Sequence, residues 1–263
     1  MVLGIIAGLT VVLKLAKRLS IKNDEVYDLG FYLIIFSLIG ARIYAVFLEL
    51  PFYLKNPFEI IAVWHGGLAI HGAIIGGVLT LIIYSWKKKQ SFWQWADLLA
   101  PALALGQTIG RFGNYFNQEI FGKPTDLPWG IPIALQNRPI DYISQQYFHP
   151  TFLYESGLNL INFFILFFLL KLKNSSKLQV TSLPRKIAKR FIWGYRLQEG
   201  AIALVYLINY SLIRIAMEFL RTDHTPKIFG IRLPILVSLG IIILSLGLII
   251  SRHKSLKSKT RTV

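Results

Sequence analysis

Residues 233–250 read Leu-Pro-Ile-Leu-Val-Ser-Leu-Gly-Ile-Ile-Ile-Leu-Ser-Leu-Gly-Leu-Ile-Ile, a run of 18 residues without a charged side chain. Its apolar residues are not interleaved with polar ones at the period of a helix or strand that buries a single face. About 20 apolar residues are enough to cross the hydrocarbon core of a bilayer as a helix. The stretch therefore predicts a membrane-spanning helix rather than the core of a soluble domain.

Similar apolar blocks recur along the chain, which is 54% hydrophobic. Seven segments are predicted to span the membrane, near 1–19, 27–49, 67–86, 95–110, 152–170, 200–220 and 233–251. The fourth segment is the least hydrophobic, because it carries Asp97, Pro101 and Gln107. The sequence thus predicts an all-α, polytopic integral membrane protein with about seven transmembrane helices, forming a single domain over 1–263 without internal repeats.

The basic residues predict the orientation of these helices. The chain has 29 Lys and Arg against 13 Asp and Glu, a net charge of +16. Twenty of the 29 follow the first, third, fifth or seventh segment, eight of them in the stretch 171–199. Because cytoplasmic loops carry the excess of Lys and Arg, we expect the N-terminus outside and the C-terminus in the cytoplasm. The basic charge then faces anionic lipid, and no nucleic-acid partner is expected.

The first segment could be mistaken for a signal peptide. A signal peptide places its positive charges before its apolar run, whereas residues 1–13 precede the charges that begin at Lys14. We therefore expect the first segment to be a membrane helix.

Polar residues gather at the predicted outer ends of the segments. Glycines surround His71, and they permit either tight helix packing or the close approach of a bulky ligand. His65 lies nearer the water and is expected to be interfacial. An ionisable group at membrane depth is costly and usually has a function, which makes His71 a candidate site residue.

Residues 111–150 are predicted to lie outside and to carry part of a site. Arg111, Asn114, Asn117 and Glu119 place four polar groups within nine residues at the end of an apolar segment. They could form an organised hydrogen-bond network. Alternatively a solvated loop begins there, with Arg111 reaching the lipid headgroups.

The sixth segment carries a polar stripe. Tyr210, Arg214, Glu218 and Arg221 occur at i, i+4, i+8 and i+11, which predicts one face of a helix. Lipid would not accept such a face, so it must line the protein interior or a cavity. A structural Arg214–Glu218 pair is the simpler alternative, although it does not account for the second arginine and the tyrosine.

These residues carry a resemblance to a known family. The run Gly-Arg-Phe-Gly-Asn-Tyr-Phe-Asn-Gln-Glu at 110–119, followed by Gly122, resembles the signature of prolipoprotein diacylglyceryl transferases. Tyr115 stands where that family usually has Phe. The similarity extends to the following residues: His71 with Gly72, His149 with Pro150, Tyr154 with Glu155, and the stripe Tyr210, Arg214, Glu218 and Arg221. The family's outer aromatic-Tyr-Gly stretch in the first helix, whose tyrosine belongs to the site, has no counterpart after Met1.

The resemblance implies the reaction and its substrates. A bacterial inner-membrane enzyme with its active site toward the outer face would transfer the sn-1,2-diacylglyceryl group of phosphatidylglycerol to the lipobox cysteine of a prolipoprotein signal peptide. A thioether forms and glycerol phosphate leaves, without a metal or cofactor. Phosphatidylglycerol, prolipoprotein signal peptides and membrane lipids would be the partners.

The resemblance also implies roles for individual residues. His71 is the candidate base for the thiol, and Arg111 and Arg214 would bind the leaving phosphodiester. Tyr210 completes the catalytic set. The substrate-binding set is Arg111, Asn114, Asn117, Glu119, Glu155, Glu218 and Arg221. Of these, the three glutamates are expected to orient arginines rather than to act as acids. The chain has no cysteine, so the reacting thiol must come from the substrate.

Two other classes of protein fit parts of the pattern. A transporter or flippase for an anionic lipid or solute would also need intramembrane arginines, but it would more often show two related halves. A structural membrane scaffold would not need the stripe from Tyr210 to Arg221.

Overall fold

The structure, a computed structural model, describes residues 2–180, 198–223 and 225–261. Within these residues the α-helices are α1 Val2–Ala16, α2 Asn23–Leu48, α3 Leu50–Lys55, α4 Ile70–Lys87, α5 Phe92–Phe116, α6 Thr151–Val180, α7 Ala201–Glu218 and α8 Leu233–Arg261. Two short antiparallel strand pairs occur in the connections, β1 Ile131–Pro132 with β2 Tyr147–Phe148 and β3 Lys227–Ile228 with β4 Ile231–Arg232. Short 3-10 turns cover Lys17–Leu19, Pro57–Ile60, Val63–His65, Leu135–Asn137 and Ile140–Tyr142. The prediction of an all-α protein is confirmed.

The helices have the lengths and composition of membrane spans. Among the described residues, five qualify by these two criteria: Asn23–Leu48, Ile70–Lys87, Thr151–Lys173, Ala201–Glu218 and Leu233–Arg252. Only 11% of the most apolar window of Leu233–Arg252 is buried, so its apolar side chains face outward. A helix with such a surface is stable in lipid rather than in water, and the membrane character of the chain is confirmed.

Helices also occupy the first and fourth predicted segments. The 15 residues of α1 reach about 22 Å at 1.5 Å per residue, less than the roughly 30 Å of a hydrocarbon core. The 25 residues of α5 are long enough, but they include Asp97, Pro101 and Gln107. The count of seven spans therefore stays a prediction.

Two helices extend beyond their predicted segments. α5 continues to Phe116, six residues past the predicted end at 110, because no proline or sharp turn interrupts the run. α6 continues to Val180, so residues 171–180 of the predicted cytoplasmic loop 171–199 are helical. Residues 181–197 of that loop lie outside the described residues.

The chain divides into two compact units, Met1–Leu15 with Ala96–Val263 and Ala16–Trp95, here called the larger and the smaller unit. Each is described by itself. The single domain over 1–263 remains a prediction.

In the smaller unit α2 packs tightly against α4. A Cβ atom added to Gly72 would overlap the carbonyl oxygen of Gly40, and one added to Gly76 would overlap that of Phe36. The glycines around His71 thus allow two helix backbones to touch, which is the packing alternative of the sequence analysis. At the other end of α4, the Tyr84 hydroxyl donates to the Glu25 carbonyl oxygen at 3.0 Å.

In the larger unit, Asp97 of α5 caps the start of α7. Its carboxylate accepts hydrogen bonds from the backbone N–H groups of Gly200 at 2.8 Å and Ala203 at 2.9 Å. Lys173 of α6 lies 2.7 Å from the same carboxylate. Asp97 is almost completely buried. It satisfies amides that the first turn of α7 leaves without helical partners, which explains a carboxylate in an otherwise apolar segment.

The stretch between α5 and α6 has a small core of its own. The side chains of Phe121, Ile133 and Phe148 are buried together, with Ile131 and Tyr142 packed against them. The β1–β2 pair closes the stretch by aligning Ile131 with Phe148. This core fixes the chain that carries the motif residues after α5.

Candidate active site

The last turns of α5 carry the first motif residues. Arg111 and Asn114 lie within the helix rather than in a loop that follows it. The helix ends at Phe116, and Gln118 and Ile120 adopt positive φ angles of 50° and 57°. The backbone N–H of Glu119 donates to the Asn114 carbonyl oxygen at 3.0 Å. This tight reversal brings the Glu119 side chain back toward the end of the helix.

Glu119 is bound by two amides. Its Oε1 accepts from Asn114 Nδ2 at 2.8 Å and from Asn117 Nδ2 at 3.2 Å. The expectation was that Glu119 orients an arginine, whereas the structure pairs it with both asparagines. Arg111 reaches Asn114 Oδ1 only at 3.5 Å. Hydrogen bonds thus connect the motif residues, while Asn117 and Glu119 remain exposed.

Glu155, in the first turns of α6, joins two arginines from other elements. Its Oε2 lies 2.5 Å from Arg111 Nη2, and its Oε1 lies 3.5 Å from Arg221 Nη1. The Glu155 side chain is 3% exposed. A carboxylate this deeply buried is stable only when it is paired, and two cations neutralise it here.

Glu218, the last residue of α7, forms a second junction. Its Oε2 lies 2.9 Å from Arg214 Nη2, one helical turn earlier, and its Oε1 lies 2.9 Å from Arg232 Nε. Thr225 Oγ1 donates to the same Oε1 at 3.3 Å. The Glu218 side chain is fully buried. Glu155 and Glu218 were both expected to be partners of arginines, and in the structure both of them contact arginines.

Arg232 was not among the predicted site residues. In addition to its contact with the Glu218 carboxylate, the Arg232 guanidinium donates to three backbone carbonyl oxygens. They belong to Glu218 at 2.8 Å, to Arg221 at 3.2 Å and to Asp223. Arg232 therefore holds the backbone at Glu218, Arg221 and Asp223, at and after the end of α7. In the sequence it directly precedes the apolar run 233–250, where it looks like an ordinary interfacial cation, so no local signal distinguishes it.

Arg221 lies beyond the end of α7, not on its face. The helix ends at Glu218, and Arg221 forms a β-bridge with Gly122 instead. Its buried side chain still turns back to Glu155, and it binds Asp223 through Nε at 2.7 Å and Nη2 at 3.1 Å. The predicted stripe is thus helical for Tyr210, Arg214 and Glu218 only. Tyr210 lies one turn before Arg214, and its ring stacks on that of Tyr206 at 6.2 Å.

Asp223 is held as a carboxylate by this pairing. Partial burial acts to raise its pKa, but the hydrogen bonds and the charge of Arg221 outweigh burial and lower the pKa below its usual 3.8. Arg221 therefore keeps Asp223 as a charged partner at neutral pH.

Gly122, the last position of the motif, must be a glycine for steric reasons. A Cβ atom there would lie 2.7 Å from His149 Cβ and 2.9 Å from Thr151 Cγ2. The Gly122 N–H donates to the His149 carbonyl oxygen at 2.9 Å. The glycine thus lets the chain after α5 lie directly against the start of α6.

His149 Nδ1 lies 3.2 Å from the hydroxyl of Tyr154, which also accepts from Trp129 Nε1 at 2.8 Å.

His71 belongs to the smaller unit. It lies in the first turn of α4 with an exposed side chain, and its ring packs on that of Tyr44 with centroids 5.8 Å apart. His65 is also exposed, and its Nδ1 lies 3.0 Å from Glu59 Oε2. These positions agree with an interfacial His65.

In the larger unit, the described arginines can receive an anion. The ion pairs and hydrogen bonds of Arg111 and Arg214 described above occupy only part of their five N–H donors, and the two side chains are 21% and 17% exposed. Glu155 and Glu218 fix both side chains from their buried sides. Guanidinium groups oriented in this way are able to bind an anion such as a phosphate. Among the described residues, no group of three or more His, Asp or Glu could hold a metal ion.

Comparisons with known proteins give a consistent result. The model of the family described as prolipoprotein diacylglyceryl transferase matches residues 1–251. The chain is 45% identical over 224 residues to a phosphatidylglycerol–prolipoprotein diacylglyceryl transferase of Synechococcus sp. (strain CC9902), covering 84% of this chain and 72% of that relative. It is 44% identical over 220 residues to a protein of the same name from a Nostoc species, with the same coverage. With one from a Synechocystis species the identity is 40% over 243 residues, 92% of this chain and 79% of the relative.

Proposed function

The chain belongs to the prolipoprotein diacylglyceryl transferase family, and from that premise we propose that it transfers the sn-1,2-diacylglyceryl group of phosphatidylglycerol to the lipobox cysteine of prolipoproteins. It is a membrane-bound transferase whose relatives carry phosphatidylglycerol and prolipoprotein in their names. The products are a prolipoprotein thioether and glycerol phosphate. We expect no nucleic-acid partner.

The observation that carries the proposal is the pair of arginines anchored by buried carboxylates. The substrate sulfur attacks the glyceryl carbon that is bonded to a phosphate oxygen, and that carbon–oxygen bond breaks. Negative charge then grows on the phosphate oxygen of the departing glycerol phosphate. Arg111 and Arg214, whose carboxylate partners are buried and whose own side chains are partly exposed, can meet that charge. Donors that are already oriented stabilise such charge most effectively.

The nucleophile is the thiolate of the prolipoprotein cysteine. A thiol with a pKa of about 8.5 is mostly protonated at neutral pH, so a base accelerates the reaction. We assign the proton to His71, which is exposed at the start of α4. Tyr210 is assigned to the catalytic set, and Asn114, Asn117, Glu119, Glu155, Glu218 and Arg221 to substrate binding, either by contact or by holding the arginines.

The proposed topology places the reaction at the outer face of the bacterial inner membrane. It has seven spans, including α1 and α5, with the N-terminus outside and the C-terminus in the cytoplasm. The distribution of Lys and Arg supports this orientation. Exported precursors present their cysteine on the outer side.

Complementation tests the proposal in cells. The chain is expressed in a bacterial strain depleted of its own prolipoprotein diacylglyceryl transferase, beside the Arg111→Ala variant. We expect the chain to restore growth and lipid-modified lipoproteins, and the variant to restore neither at equal membrane abundance. A transporter or flippase would leave lipoproteins unmodified while moving labelled lipid across vesicles, and that result would refute the transferase.

A further inference from the structure

Arg42 lies in α2 and is only 6% exposed. The proposed reaction assigns no role to this buried charge. Its guanidinium donates to five backbone carbonyl oxygens. They belong to Glu59, to Ile60 at 3.0 Å, to Ala62 at 3.1 Å, to Gly66 at 2.5 Å and to Gly67 at 2.8 Å. A guanidinium has five N–H donors, and all five are used. Arg42 therefore has no donor left for a phosphate, and its function is to hold the chain.

The chain that Arg42 holds is an unusual one. Gly66 adopts φ 91° and ψ −146°, a conformation that is nearly restricted to glycine, and Gly67 adopts φ 65°. A Cβ atom on Gly67 would lie 2.6 Å from Arg42 Nη1 and 2.7 Å from the Tyr53 hydroxyl. The Tyr53 ring also covers the guanidinium, with its centroid 5.2 Å from Arg42 Cζ. Arg42 and Tyr53 thus hold this part of the chain in a shape that requires glycine at both positions.

The held segment leads directly into His71. The residues of α2 on either side of Arg42 contact the residues that follow Gly67. Ala41 accepts a hydrogen bond at its carbonyl oxygen from Ala69 N–H at 3.1 Å. Gly40 touches Gly72 without room for a Cβ atom, and the Tyr44 ring packs on the His71 ring. Four neighbouring positions of α2 thus fix the chain from Gly66 to Gly72.

We propose that Arg42 is a positioning residue for His71, acting through the five carbonyl groups of residues 59–67. The inference rests on the proposed function, in which His71 takes the proton from the substrate thiol. Arg42 touches neither substrate nor thiol. It sets the path by which the chain enters α4, and hence the place of the imidazole at the exposed start of that helix.

The test is a double-mutant cycle with purified protein, phosphatidylglycerol vesicles and a lipobox peptide. Arg42→Lys keeps the charge but cannot make five directed hydrogen bonds. We expect Arg42→Lys to lower kcat about 100-fold near pH 7, the scale of a 1 Å misplacement. The loss should shrink above the thiol pKa of about 8.5, as it should for His71→Gln. The variant Arg42→Lys/His71→Gln should be no slower than His71→Gln alone.

The matched control is Arg138→Lys, because Arg138 also donates to backbone carbonyl oxygens, at Ile133 and Ile143. Any loss of kcat in Arg138→Lys should not vary with pH, and it should multiply with the loss in His71→Gln. If Arg42→Lys fails to insert, Gly66→Ala replaces it. A Cβ atom there meets no neighbour within 4 Å, so only the backbone and its carbonyl group are disturbed.

If the loss of kcat in Arg42→Lys or Gly66→Ala multiplies with the loss in His71→Gln, Arg42 does not act through His71. A loss of kcat that does not depend on pH would overturn the positioning role in the same way. Normal activity of His71→Gln would overturn it as well. An inactive wild-type protein would instead refute the proposed function.

Discussion

Arg111 of α5 and Glu155 of α6 form a buried ion pair, with Nη2 and Oε2 2.5 Å apart. The other oxygen of Glu155 faces Arg221, which follows α7, so a single carboxylate connects three parts of the larger unit. Arg111 and Glu155 lie 44 positions apart in sequence, and the close contact at Gly122 brings the chain after α5 against the start of α6. The pair orients an arginine and also holds the site together.

Replacing Glu155 with Gln should therefore affect both stability and activity. The change keeps the shape of the side chain but leaves Arg111 and Arg221 without their shared anion. Breaking a buried pair in this way costs about 3–5 kcal/mol, and we expect a clearly lower thermal unfolding temperature in detergent together with loss of transfer. Asp28→Asn is the control, because the Asp28–Lys88 pair is half exposed and 3.8 Å apart. Equal unfolding temperatures for Glu155→Gln and the wild type would contradict the claim that Glu155 stabilises the fold by joining Arg111 and Arg221.

Arg111 and Arg214 should be required for transfer but not for insertion. In the proposed reaction each meets charge that grows in the transition state, and loss of one such donor costs about 100- to 1000-fold in rate. We expect Arg111→Ala and Arg214→Ala to lose transfer by at least this factor. Lysine should restore little of it, because an ammonium group lacks the planar fork. Initial rates with a lipobox peptide measure the effect.

Lys123→Ala is the control for these arginines, since its side chain is exposed in the same connection after α5. Its rate should stay near that of the wild type. Near-normal rates for either arginine variant would remove the phosphate-binding assignment.

The sequence predicted the helices and the Arg214–Glu218 contact, but not the turns between the helices. Apolar runs determine membrane helices directly, because lipid forces the backbone to satisfy its own hydrogen bonds. The 3.6-residue period placed Arg214 and Glu218 on one face correctly. It could not show that α7 ends before Arg221, because that end depends on the bridge to Gly122, 99 residues away in sequence.

Arg42 and Arg232 illustrate the same limit. Both bind mainly backbone carbonyl oxygens, whose positions depend on the folded path of the chain and leave no mark in the local sequence. Neither residue belongs to the motif at 110–119 or to the polar stripe of the sixth segment. Glu119, by contrast, was located from its motif, although its amide partners replaced the expected arginine.

The pairing of Asp223 should make its contribution to stability depend on pH. Because the folded pKa is below 3.8, its pairing stabilises the fold above that value and is lost as the pH falls through the lower folded pKa. We expect Asp223→Asn to unfold at a lower temperature than the wild type near neutral pH, with a smaller difference well below pH 3.8. Asp126→Asn, at an exposed carboxylate, should show no such change with pH. A difference that is constant or grows in acid would contradict the assignment.

The orientation can be tested with single cysteines, because the chain has none of its own. Gln136 is exposed in the predicted outer connection, and Ser258 lies in the predicted cytoplasmic tail. An impermeant thiol reagent applied to intact spheroplasts should label Gln136→Cys and spare Ser258→Cys until the cells are lysed. The reverse pattern would invert the topology, and with it the access of exported precursors to the site.

The central claim is the chemical transfer itself, and mass spectrometry of the acceptor peptide tests it most directly. The purified chain is incubated with phosphatidylglycerol vesicles and a peptide that carries one lipobox cysteine, beside the same peptide with serine in that position. The cysteine peptide should gain one diacylglyceryl group in a thioether that resists reduction, with one glycerol phosphate released per peptide modified. An unmodified cysteine peptide, or equal modification of the serine peptide, would contradict it.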